Sequence, residues 1–175
     1  MDLEKLIRNI PDYQQFLTVE EMDASTMKLA EEYPDLVTVT EEGRSRGNHP
    51  IYCLKIGNGK KNAFMFGCPH PNEPMGAMML EYFSRALCED DELRESLGYT
   101  WYLIKSIDVD GTMLNEGWFK GPITITNYAR NYFRPVGAEQ AEWTFPFEYK
   151  NYRWTTPIPE TQVLMKIIDR VQPEF

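Results

Sequence analysis

The chain is 175 residues long and carries 18 Lys plus Arg against 27 Asp plus Glu, a formal net charge of −9. That surplus excludes the basic footprint of a nucleic-acid or anionic-membrane binder. With 42% hydrophobic residues, the length supports one domain with its own core, taken as residues 1–175.

Histidine is scarce. Only His49 and His70 occur, so a metal or acid–base site built on imidazole must use one or both. Three cysteines, Cys53, Cys68 and Cys88, cannot all pair within one chain, and their apolar neighbours point to buried free thiols. The start, Met-Asp-Leu-Glu-Lys-Leu-Ile-Arg, lacks the apolar core of a secretion signal, and no apolar run reaches the roughly 18 residues of a membrane span. A reducing, cytoplasmic location is the expectation, with no membrane or nucleic-acid partner.

In chain order, Glu20–Tyr33 is predicted helical, with Met22, Met27, Leu29 and Ala30 on its apolar side and Pro34 just beyond its end. Leu36–Thr40, Pro50–Ile56 and Ala63–Cys68 are predicted strands, and Gly57–Asn62 is expected to join the last two as a hairpin. Glu73–Cys88 is a second predicted helix, whose Met75, Met78, Met79, Tyr82, Phe83 and Ala86 recur at helical spacing as core residues. Thr100–Ile107 is apolar on both faces, as a central strand should be. Strand, helix and buried strand together predict a right-handed parallel crossover. From Asp108 to Thr156 no clear periodicity appears, yet aromatics are frequent, so an ordered, site-forming excursion is expected. Pro159–Val171 is predicted as a final helix, with Thr156 as its candidate cap, Glu160 in its first turn and Ile167, Ile168 and Val171 on its buried face.

The sharpest local feature is Gly67-Cys68-Pro69-His70-Pro71-Asn72-Glu73-Pro74. A buried strand runs straight into His70, and ligands of open α/β folds bind where strands end at their carboxyl termini. Imidazole and carboxylate suit zinc. By residue pattern alone, the alternative is a turn histidine followed by a helix-capping glutamate.

The motifs taken together resemble those of zinc carboxypeptidases of the carboxypeptidase A/B superfamily. They are Tyr33-Pro34-Asp35-Leu36, Glu42-Gly43-Arg44-Ser45, Pro50–Ile56, His70-x-x-Glu73, Asp108-Val109-Asp110-Gly111, Arg130-Asn131-Tyr132-Phe133 and Pro159-Glu160-Thr161. The resemblance implies a three-layer α/β/α fold on a mixed, largely parallel central sheet, with the C-terminal strands missing from a domain that is expected to be truncated. It implies zinc held by His70 and Glu73, and hydrolysis of the C-terminal peptide bond by zinc-activated water. It further implies that Arg130 binds the free carboxylate of a peptide or acyl-amino-acid substrate, a task suited to the planar guanidinium fork. Ala129 stands where the motif has Asn, so Asn127 or Asn131 is expected to supply the amide. Lys120 is the nearest cation for polarising the scissile carbonyl.

The third zinc ligand, a histidine, and the general-base glutamate are expected beyond Phe175. His49 is expected to be an exposed turn residue. This chain alone is therefore expected to be inactive and to associate with itself through uncovered apolar surface. Two other readings remain open. One is a zinc deacylase or amidase of the aspartoacylase or wall-peptide type; the other is a non-catalytic binding module on the same scaffold.

Overall fold

Thr18 sets the first long helix. Its hydroxyl accepts from the Glu21 N–H while the Glu21 carboxylate accepts from the Thr18 N–H, a reciprocal capping box that starts α2 (Val19–Glu32) after the short α1 (Leu3–Arg8). The computed structural model describes residues 3–175. Four strands follow the expected segments closely: β1 (Val37–Arg44), β2 (Pro50–Ile56), β3 (Lys61–Phe66) and β4 (Tyr99–Ile104). They form one sheet in the order β1-β2-β4-β3.

This order corrects two expectations. β4 lies between β2 and β3, so Gly57–Asn62 is a crossing connection and not a hairpin. The sheet is mixed, as expected, but within this chain only β3 and β4 pair in parallel; β1–β2 and β2–β4 are antiparallel. The parallel pair is the predicted crossover. Its connection consists of α3 (Met75–Glu89) and α4 (Asp91–Leu97), the latter capped by the Asp90 carboxylate on the Leu93 N–H.

Alternation along β2 explains the layers. Ile51 and Cys53 share one buried cluster with Val163, Leu164, Ile167 and Val171. Leu54 and Ile56 share the opposite cluster with Leu29 of α2 and Leu80 and Leu87 of α3. Residues two apart share a face, so the sheet separates two helical layers. The first cluster includes α7 (Pro159–Val171), as predicted. Each fully buried aliphatic side chain there contributes about 1.5–3 kcal/mol. Its cap is not Thr156: Ile158 precedes the helix without a side-chain cap bond, and Pro159 in the first turn needs no N–H partner. Arg170 and Lys166 both reach buried Glu42 of β1, fastening α7 to the sheet. Glu174 N–H then donates to the Asn62 carbonyl (2.9 Å), and Phe64 N–H donates to the Phe175 carbonyl (2.7 Å), laying the last residues along the outer edge of β3.

The segment expected to be irregular contains two helices, α5 (Val109–Phe119) and α6 (Ile125–Asn131). Two 3₁₀ turns at Gly137–Glu139 and Ala141–Trp143 follow, then a small hairpin of β5 (Phe147–Tyr149) and β6 (Tyr152–Trp154). α5 escapes a search for apolar periodicity because its buried side includes Thr112 and Asn115. Asn115 is satisfied by the Gly111 and Phe133 carbonyls and accepts from the Trp118 indole. No helix among the described residues is long and apolar enough to cross a membrane. Cys53, Cys68 and Cys88 are buried and unpaired, as expected.

Candidate metal centre

The loop after β3 is shaped by its neighbours. Gly67 N–H donates to the Ile104 carbonyl, and Ile107 N–H returns to the Gly67 carbonyl, so the chain leaving β3 stays paired to the chain leaving β4. A side chain at Gly67 would run into the Lys105 carbonyl and the backbone of Ala77, so only glycine allows this approach. Cys68 then adopts a left-handed φ of 49°, a strained conformation for a non-glycine residue. The Glu73 N–H closes the turn onto the His70 carbonyl (3.0 Å), and α3 begins two residues later.

This turn brings the two predicted ligands together: His70 Nδ1 lies 3.0 Å from Glu73 Oε2. Two donors at about 2.0–2.1 Å from one tetrahedral ion stand roughly 3.3 Å apart, so the pair is positioned as neighbouring ligands would be. On the other side of the ring, His70 Nε2 lies 2.5 Å from Glu142 Oε1. Both Glu142 oxygens are buried and lack a hydrogen bond of good geometry. A carboxylate behind a ligating imidazole is the usual means of fixing ring orientation.

Arg134 completes this group. Its guanidinium donates to Glu73 Oε1 (3.1 Å) and reaches the buried Gln140 amide oxygen (3.5 Å). Sequence reasoning missed Glu142 and Arg134. Both lie in the aperiodic excursion; the one available signal was that Arg134 follows Arg130 by four residues and precedes Pro135.

The other predicted residues are placed differently. Lys120 Nζ pairs with Glu21 Oε2 (2.6 Å) at the start of α2, and no ion pair or hydrogen bond joins its side chain to His70 or Glu73. The Asn131 amide donates to the Asn127 carbonyl and side-chain oxygen, and the Asn127 amide donates to Gly117 and Pro122 carbonyls. Of these, the bond to Gly117 ties α6, which has no buried residue, to the end of α5. Tyr128 of α6 accepts from the Asn72 amide (3.3 Å), which sets this helix beside the His70 turn. Among the described residues, Arg130 is the one arginine with neither an ion pair nor a side-chain hydrogen bond. His49 is half-exposed in the β1–β2 turn, its Nδ1 2.7 Å from Asp110 Oδ1.

The donor chemistry of His70 and Glu73 suits zinc, but among the described residues no group of three His, Cys, Asp or Glu could hold a metal ion. The fit is therefore that of a two-residue half-site.

Comparison with known proteins bears on the family and the fold. The curated zinc carboxypeptidase A 1 of Anopheles gambiae is 28% identical over 105 residues, 57% of this chain and 24% of that protein. The crystal structure of thrombin activatable fibrinolysis inhibitor superposes with a TM-score of 0.67 at 20% identity, covering 97% of this chain and 52% of that one. Carboxypeptidase A from Helicoverpa armigera gives 0.65 at 19% identity, with 97% and 49% covered. The chain thus spans about half the length of these structures and about a quarter of the curated relative. The zinc carboxypeptidase family profile matches residues 22–173, and the chain belongs to that family.

Proposed function

We propose that this chain carries part of a zinc peptide-hydrolase site, in which His70 and Glu73 hold the metal and a substrate with a free carboxylate is received beside α6. The observation that carries this reading is the 3.0 Å approach of His70 Nδ1 to Glu73 Oε2 at the carboxyl end of β3. When bound, zinc would supply Lewis acidity toward a peptide carbonyl. The protein's own contribution is orientation. Glu142 packs its buried carboxylate against Nε2 of His70, and Arg134 offsets the charge of Glu73 and offers a guanidinium within reach of any anionic group arriving there. That geometry favours Arg134 over Lys120 as the cation facing the reacting group. Arg130, unpaired in a chain of net charge −9, is suited to hold the substrate carboxylate.

The two-residue donor set favours a second statement about this chain: it holds zinc weakly and binds carboxylate ligands without sustained turnover. Equilibrium dialysis against zinc, combined with a substrate screen, tests both statements. Weak uptake approaching one zinc per chain only at saturating zinc is expected, lost in His70→Ala, together with peptide binding weakened by Arg130→Ala. Zinc retained by His70→Ala contradicts the site. Steady release of C-terminal residues would overturn the lack of turnover, and preferential cleavage of N-acyl amino acids would move the chemistry to the deacylase type.

A further inference from the structure

Two of the sequence motifs that the proposed site leaves unused, Asp108–Gly111 and Pro159–Thr161, meet at the side chain that directly follows a third, Glu42–Ser45. Arg46, in the turn after β1, donates its backbone N–H to Glu160 Oε1 (3.1 Å) and approaches the same oxygen through Nε (3.4 Å). Its two terminal nitrogens lie 3.6 Å from Asp108 Oδ1 and 3.6 Å from Glu139 Oε2. In the same turn, the Ser45 hydroxyl, the Gly47 N–H and His49 Nδ1 all converge on Asp110. The end of β1 at Glu42–Ser45, the Asp108–Gly111 helix start and the Pro159–Thr161 helix start are thereby tied together.

This junction has unusual electrostatics. Glu160 is fully buried and Asp108 is 2% exposed, and each retains one buried oxygen with no hydrogen-bond partner. Arg46 is the one cation in contact with either carboxylate among the described residues. A buried carboxylate without its counter-ion is strongly disfavoured, so Arg46 dictates where both settle.

Both walls of the His70 site are attached to this point. On one side, Asp108 N–H donates to the Cys68 carbonyl (3.3 Å), and Gly111 packs so close to Pro71 that a Cβ would collide with its ring. On the other side, Glu139 lies three residues before Glu142, and the Thr161 hydroxyl, next to Glu160, donates to the Ala141 carbonyl (2.7 Å). We infer that Arg46 is a positioning residue for the candidate site: through Asp108 it sets the turn bearing His70, and through Glu139 and Glu160 it sets the 3₁₀ turn bearing Glu142. The 2.5 Å approach of Glu142 to His70 Nε2 is maintained from Arg46, on the far side of both walls.

This inference rests on the reading of His70 and Glu142 as one site, but its test needs neither zinc nor turnover, so either can fail alone. With two histidines in the chain, the imidazole ¹⁵N resonances of His70 and His49 are distinguished by a single His49→Gln control. Arg46→Gln is expected to displace the His70 Nε2 resonance, with Arg46→Lys restoring part of the shift. Because Arg46→Gln strips a counter-ion from two buried carboxylates, Glu139→Gln provides the milder cut: Glu139 is 56% exposed and its loss leaves no buried charge alone. It is expected to displace the same resonance and to speed amide exchange over residues 137–144 about tenfold, with exchange in β2 and β4 unchanged. An unmoved His70 resonance in Glu139→Gln, or a uniform loss of protection throughout the chain, would overturn the assignment.

Discussion

At His70 the two ring nitrogens face two different carboxylates, Glu73 at 3.0 Å and Glu142 at 2.5 Å, and under the proposed function the two would have different tasks. In the proposed site, a carboxylate beside Nδ1 shares the metal ion with it, whereas a carboxylate at Nε2 constrains the ring. Glu142→Gln is therefore expected to leave the fold intact and weaken zinc binding about 10–100-fold, as read by competition with a chromophoric chelator. Unchanged affinity would remove Glu142 from the site. Asp108 yields a prediction about pH. Burial pushes its carboxyl up to about 6, against the lowering effects of the Gly111 N–H and Arg46. The folded state then holds the proton more tightly than the unfolded chain, so this group's contribution to stability is greatest below about pH 4 and declines as pH rises through 6. Asp108→Asn keeps an acceptor for Gly111 and removes the titration. Between pH 4 and 7 its stability relative to wild type is expected to rise by on the order of 2 kcal/mol in urea denaturation; a constant difference would contradict this.

At the scale of elements, α7 is held by more than its apolar face. Glu42 is buried in β1, and Arg170 and Lys166 converge on it from the helix. Burial alone would raise the Glu42 acid, but bonds from Arg170 and Lys166 prevail and hold it below the usual range. Arg170→Met is expected to cost about 1.5–3 kcal/mol with an unchanged denaturant slope, since one charged hydrogen-bonding partner remains. The same helix shows what could be read in advance: Pro159 at its start and aliphatics three and four apart fix both ends. α5 could not be read, because buried Asn115 and Thr112 are paid for by bonds that no linear pattern displays. The connection at Gly57–Asn62 misled for a related reason. A Gly-Asn-Gly stretch signals a turn locally, whereas inserting β4 between β2 and β3 is a non-local decision made by burial on both faces of the central strand. In the site, His70 and Glu73 were legible as neighbours in one turn. Arg134 and Glu142 were not, since only folding of residues 120–144 brings them to that turn.

For the whole molecule, the exposed surface is uneven. β3 is an edge strand, and Glu174 and Phe175 cover only part of it. Large apolar side chains are exposed on Ile123, Ile125, Trp143, Phe147, Tyr149 and Tyr152, within the excursion that also supplies Arg134 and Glu142. An open edge together with this apolar surface predicts self-association. Sedimentation equilibrium is expected to show mass rising above 20.5 kDa with concentration; a monomer throughout would contradict it. Whether one of the two histidines belongs to a metal half-site and the other does not is read by following both imidazoles in ¹⁵N spectra during a zinc titration. His70 is expected to move and His49 to stay, with the response lost in Glu73→Gln. Movement of His49 alone, or of neither ring, would contradict it.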